Sequence, residues 1–162
     1  MKNKKDQLRN KFLALRKKKY FEVSINRFNK LVNYIKKRNK IKKSFVIGLY
    51  YPSNYEFNIL KLIRNFKNSK IIFLLPKIFN SNLMKFVEWK EKDTLTVNKF
   101  GIPEPFDTKK KSYLPDVVLV PLVAFDSYKN RLGYGKGFYD RYLYKLIKLN
   151  KKIETIGVAF SF

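Results

Sequence analysis

"PDVVLVPLVAFDSYKNRLGYGKGFYDRYL", residues 115–143, decides the fold. Its first part, Pro115–Phe125, contains a strongly apolar run that reads as a buried strand. A short polar loop, Asp126–Asn130, comes next, and then three glycines alternating with larger residues. At about Phe138 the chain opens a helix whose inner face is Tyr139, Leu143, Leu146 and Ile147. A buried strand that feeds a helix through a short loop belongs to a parallel sheet. In such sheets ligands sit beyond the carboxyl ends of strands.

Outward from that stretch, strands and helices alternate. A Lys- and Arg-rich helix is predicted over about 3–18, with Leu8, Phe12 and Leu15 on one face. A second is predicted over about 20–38, with Ile25, Phe28, Leu31, Val32 and Ile35 as its apolar stripe. Ser44–Tyr51 reads as a strand and Pro52–Asn54 as a turn. Residues 56–67 read as a helix through Ile59, Leu60, Ile63 and Phe66, and Lys70–Pro76 as a buried parallel strand. Met84–Trp89 and Ile153–Phe160 complete the strands. The expectation is one α/β domain of residues 1–162, three-layer and Rossmann-like, with a mostly parallel sheet flanked by helices.

Composition narrows the chemistry. The 162 residues include no cysteine and no histidine, which excludes disulfides, thiolate or imidazole metal sites and His-dependent triads. A metal, if used, is a hard ion on oxygen ligands, which suits Mg²⁺. No apolar run approaches the ~20 residues of a membrane span, and the charged N-terminus has no following apolar region. The expected location is the cytoplasm, with no membrane partner. With 37 Lys and Arg against 12 Asp and Glu, the net charge is +25. Such charge attracts nucleic acid without regard to sequence. The lysines are spread along the whole chain, however, and Asn, Ile, Phe and Tyr are also abundant. We read the charge as compositional drift and expect no specific nucleic-acid partner.

The glycine stretch carries the chemistry. Small residues let backbone N–H groups approach an anion, and a helix N-terminus adds partial positive charge. Arg131 can fork two hydrogen bonds onto a phosphate, and Lys136 adds a mobile charge. Asp140, in the first helical turn, is placed to hold Mg²⁺ on the same phosphates. The pattern is neither a Walker A loop nor a dinucleotide fingerprint. On spacing alone two readings stand: a phosphate loop, or a flexible turn with Asp140 as an ordinary first-turn acid.

The residues themselves favour the first. "PLVAFDSYKNRLGYGKGFYDRYL", residues 121–143, closely resembles the signature of the 5-formyltetrahydrofolate cyclo-ligase (methenyltetrahydrofolate synthetase) family, which joins P-x-x-x-F-D to R-L-G-x-G-x-G-x-Y-D. In the family's order, "KDQLR" (Lys5–Arg9) resembles its K-x-x-L-R, "YPSNYEFN" its glutamate segment after the first strand, and "FGIPEP" (Phe100–Pro105) its G-I-x-E-P. The resemblance covers essentially the whole chain.

It implies the cyclo-ligase fold and an ATP- and Mg²⁺-dependent conversion of 5-formyltetrahydrofolate into 5,10-methenyltetrahydrofolate, with release of ADP and phosphate. That reaction needs charge neutralisation and positioning more than a nucleophile, so a chain without His or Cys can perform it. The implied roles follow the motifs. Lys5 and Arg9 reach ATP from the first helix. Arg131, Leu132, Gly133, Tyr134, Gly135, Lys136, Gly137, Phe138 and Tyr139 form the ATP loop, with Arg131 and Lys136 as the catalytic cations. Gly135, Gly137 and their neighbours Tyr134, Lys136 and Phe138 also border the folate. Glu56 bonds the pteridine ring, Tyr51 and Phe100 wall its pocket, and Asp140 is the metal ligand. On sequence alone Lys5 and Arg9 also fit a solvated helix face, Glu56 a helix-capping acid, and Tyr51 and Phe100 core aromatics.

Two departures stand out. Lys129 occupies a position where the family often has glycine, and the family continues past "IGVAF" with a segment carrying a Gln and a second Asp. The expectation is a monomeric, C-terminally truncated cyclo-ligase-like domain. The alternatives are a weakly active or inactive relative that retains nucleotide binding, and a basic nucleic-acid-binding domain.

Overall fold

A computed structural model describes residues 2–39, 45–66, 70–81, 83–106, 111, 113–149 and 152–160. Helix α1 spans Lys2–Lys19 and α2 Asn29–Asn39; strands follow as β1 (Phe45–Gly48), β2 (Ile71–Ile78), β3 (Met84–Glu88), β4 (Leu95–Val97), β5 (Pro103–Pro105), β6 (Val117–Pro121), β7 (Ala124–Phe125) and β8 (Arg131–Leu132). Helix α3 (Phe138–Leu149) and strand β9 (Glu154–Val158) close the order. Five strands form the main sheet in the order β3-β2-β1-β6-β9. All neighbours are parallel except β2 and β3. The sheet is therefore mostly parallel, as predicted.

The central strands β1 and β6 are apolar at successive positions because they are buried on both faces. Phe45 and Ile47 of β1 and Val117 and Leu119 of β6 pack in one core with Phe28, Val32, Ile35, Leu62 and Phe66. The intervening Val46, Val118 and Val120 pack in a second core with Leu146 of α3. Side chains alternate across a strand, so one continuous apolar run serves two layers. The result is helix, sheet, helix.

The helical periods held less well. The predicted helix over 20–38 splits: 20–24 are irregular, Ile25–Phe28 form a 3₁₀ turn, and α2 begins only at Asn29. The segment predicted as helix over 56–67 is 3₁₀ from Ile59 to Phe66, with Ile59, Leu62 and Phe66 buried. The predicted ends Ser44 and Lys67 lie outside the described residues. Ile147, assigned to the inner face of α3, is 49% exposed, and Leu8 of α1 is also exposed.

One unpredicted element shapes the site. "FGIPEP" forms the end of a β4–β5 hairpin, with Thr96 opposite Glu104. It is clamped to β2 by Lys77, whose Nζ donates to the carbonyls of Pro105 (2.5 Å) and Phe106 (3.4 Å) and lies 3.7 Å from Glu104. Both charged side chains are over nine-tenths buried. The Glu104 carboxylate also accepts from the Ile78 amide (3.1 Å) and Asn98 Nδ2 (2.9 Å). Glu104 is thus the fastening of the hairpin.

Candidate active site

The cleft lies beyond the carboxyl ends of β1 and β6, where ligands of open α/β sheets sit. After β1, Asn54 and Tyr55 both take left-handed backbone angles (φ 48° and 59°) and reverse the chain. The reversal brings Glu56 back onto Ser53, whose amide donates to its Oε2 at 2.8 Å. Glu56 is 6% exposed. Burial pushes its carboxyl above the usual range, while hydrogen bonds from Tyr134 and Ser53 and the charge of Arg16 act in the opposite direction.

After β6 the chain makes the small β7–β8 ribbon. Its loop is organised by Asp126, which accepts from the amides of Tyr128 (3.0 Å) and Asn130 (2.8 Å). Lys129 sits there at φ 65°, a region that favours glycine. The glycine stretch follows. Gly135 (φ 89°) and Gly137 (φ 69°) need their left-handed angles, and a Cβ at 137 would come within 2.7 Å of Arg141 Nη1. These turns bring 133–137 over the N-terminus of α3, where the first amides of the helix are without intrahelical partners.

A cleft of about 240 Å³ is lined by Tyr51, Glu56, Phe100, Arg131 and the run from Gly133 to Asp140. Most residues assigned from sequence therefore meet in one place. The glycine backbone, Arg131 and Lys136 line it together with Glu56 and aromatic walls. Phe100 packs edge-on to Phe138 at 5.7 Å, and Lys136 Nζ lies 5.9 Å from the Phe100 ring centre. Such a cleft suits an anion beside a flat, partly polar ring system.

Lys5, Arg9 and Leu132 lie outside these walls. Arg9 still supports the loop: its Nε donates to the Gly133 carbonyl at 2.8 Å, and a Cβ at 135 would stand 3.3 Å from its Cζ. Lys5, one helical turn earlier, is exposed. Leu132 belongs to the ribbon, where its carbonyl accepts from the Val123 amide at 2.8 Å. Arg131 Nη1 donates to the Pro121 carbonyl at 3.2 Å, and Nη2 pairs with Asp140. The assigned cation and the assigned metal ligand are thus partners of one another. Among the described residues no group of three or more acidic side chains gathers to hold a metal. A single carboxylate beside the glycine stretch fits a Mg²⁺ ion that takes most of its ligands from a bound anion and water.

Sequence reading missed Arg16. It is 5% exposed and donates to the carbonyls of Leu122 and Val123 and to the Tyr134 hydroxyl. The signal was present: Arg16 stands four residues after Phe12, on the apolar face of α1, where a solvated cation does not belong. Ser53, Asn98 and Ile102 also line or organise the cleft without having been singled out.

The 5-formyltetrahydrofolate cyclo-ligase family model matches residues 1–162. The chain belongs to that family. It is 31% identical over 151 residues to the 5-formyltetrahydrofolate cyclo-ligase of Mycoplasma pneumoniae, over 93% of this chain and 77% of that one. It is 41% identical over 85 residues to a cyclo-ligase relative in Schizosaccharomyces pombe, where the match spans 49% of this chain and 41% of the relative. The NMR structure of Aquifex aeolicus 5,10-methenyltetrahydrofolate synthetase superposes with a TM-score of 0.67 at 30% identity, covering 97% of this chain and 78% of that chain. The cyclo-ligase relatives are named as ligases. Among the described residues no helix is long and apolar enough to cross a membrane.

Proposed function

We propose that this chain catalyses the ATP- and Mg²⁺-dependent cyclisation of 5-formyltetrahydrofolate to 5,10-methenyltetrahydrofolate, acting in the cytoplasm as one unit of residues 1–162. The observation that carries the reading is a single contact between two motifs. Tyr134 of the glycine loop donates its hydroxyl hydrogen to Glu56 Oε1 at 2.6 Å, so the residues proposed for phosphate and those proposed for the ring line one cleft.

The formyl oxygen is a poor leaving group. Transfer of the γ-phosphoryl group of ATP to that oxygen, with release of ADP, turns it into a phosphate ester. N10 then attacks the formyl carbon and loses its proton. The carbon–oxygen bond breaks and phosphate departs, leaving the methenyl bridge between N5 and N10. In this reading Arg131, Lys136 and the 133–137 amides hold the triphosphate and stabilise the charge that develops during transfer. Glu56 accepts from the pteridine edge, and Tyr51 and Phe100 flank the ring. Asp140 would hold Mg²⁺, and the bound ion would supply charge neutralisation on the phosphates. With its carboxylate engaged in that way, Asp140 would leave Arg131 available to phosphate.

The test is direct. Purified chain with 5-formyltetrahydrofolate, ATP and Mg²⁺ should generate the absorbance of methenyltetrahydrofolate with equimolar ADP and phosphate. Product formed without ATP, or none formed with it, would overturn the reading.

A further inference from the structure

Among the described residues Arg16 is the most deeply buried cation, at 5% exposed against 7% for Lys77. It lies on α1, away from the glycine loop in sequence, yet it reaches three segments that build the cleft. Nη2 donates to the carbonyls of Leu122 (2.5 Å) and Val123 (3.2 Å), just after β6. Nη1 donates to the Tyr134 hydroxyl oxygen at 2.8 Å and lies 3.5 Å from the Asn54 carbonyl in the turn that carries Glu56.

A guanidinium can only donate. The Tyr134 oxygen must therefore accept from Arg16, and its own hydrogen is directed to Glu56. The bonds run one way, from Arg16 through Tyr134 to Glu56. Tyr134 also sits between Gly133, whose carbonyl is held by Arg9, and Gly135, at φ 89°. The backbone that would meet phosphate cannot shift without moving the phenol.

We propose that Arg16 and Tyr134 are a positioning pair that ties the glycine loop to Glu56, so that nucleotide and folate each bind more tightly when the other is present. The inference rests on the proposed function. A phosphate that orders 133–137 seats the phenol on Glu56 and holds the carboxylate in place for the ring. A ring that engages Glu56 holds the phenol, and with it the loop. Thermodynamic linkage requires the two effects to be equal.

Titration of the full chain with a non-hydrolysable MgATP analogue, with and without saturating 5-methyltetrahydrofolate, measures the coupling. The folate lacks a formyl oxygen and cannot react. Each ligand should tighten the other by the same factor, about tenfold. Tyr134→Phe keeps the ring and should lower the factor below about twofold, in the range of two independent sites. Arg16→Met should do the same, and Arg16→Lys, which restores a donor, should recover part of it. Tyr134→Phe leaves the Arg16 bonds to Leu122 and Val123 intact, so it decides the matter even where Arg16→Met fails to fold. A factor near one in the unaltered chain, or full coupling in Tyr134→Phe, overturns the inference and leaves the proposed function standing. Failure of both ligands to bind, alone or together, overturns both.

Discussion

Replacing Lys77 by Met should release the β4–β5 hairpin. The substitution conserves length and removes the charge. It takes away the donor to the Pro105 and Phe106 carbonyls and leaves the Glu104 carboxylate buried without its cation. Removing one partner of a buried pair typically costs about 3–5 kcal/mol. Glu104 keeps the Ile78 amide and the Asn98 side chain as donors, which places the loss near the lower end, about 3 kcal/mol. For a chain of this size that corresponds to a fall of roughly 6–12 °C in melting temperature. The hairpin carries Phe100 against Phe138, so folate binding should weaken several-fold more than ATP binding. Thermal unfolding and separate ligand titrations read both effects. Lys77→Met/Glu104→Gln removes the orphaned charge while keeping an acceptor for Ile78, and it should recover more than half of the stability. A single variant as stable as the parent, or a double variant no better than the single, would refute the argument that an unpaired buried carboxylate is the cause.

Arg131→Ala should weaken MgATP at least tenfold, whereas Lys145→Ala, on the exposed part of α3, should change it less than about twofold; equal losses in a titration would point to diffuse charge instead of a site. Glu56 gives a pH dependence with a definite sign. Its carboxyl is raised by burial, so the folded state holds the proton more tightly than the unfolded chain, and this contribution to stability is lost as pH rises through the raised folded value. Glu56→Gln should flatten the stability curve just above the ordinary carboxylate range, and folate affinity of the parent should fall as pH drops through the same region; a curve that Glu56→Gln leaves unchanged argues against it. Binding of DNA or RNA should be weak, indifferent to sequence and lost steeply with salt, and discrimination between oligonucleotides at physiological salt would contradict the reading of the +25 charge as drift.

Several features were legible in the chain before any coordinates. The apolar runs at β1, β2 and β6 announced a sheet buried on both faces, because such strands need no polar alternation. The glycine stretch announced its loop, because Gly135 and Gly137 take angles that other residues avoid. Glu56, Phe100 and Arg131 were named from motif order, and they do meet in one cleft. Each of these signals is local: a period, a composition, or a few residues at fixed spacing.

Tertiary structure alone decided the rest. Helical periodicity specifies an apolar stripe but not the hydrogen-bond spacing, so the segment with buried Ile59, Leu62 and Phe66 formed a 3₁₀ turn as it packed on the sheet. Lys77 in an apolar strand and Glu104 between two prolines look like unrelated charges until the hairpin folds back and pairs them 3.7 Å apart. The position of Arg16 on the apolar face of α1 marks it for burial, but nothing in its neighbours marks Tyr134, 118 positions away, as its partner. Burial makes such polar groups matter, because a desolvated charge must find acceptors inside the protein. Which groups become desolvated depends on how distant segments stack, and that is decided only when the whole sheet and its layers come together.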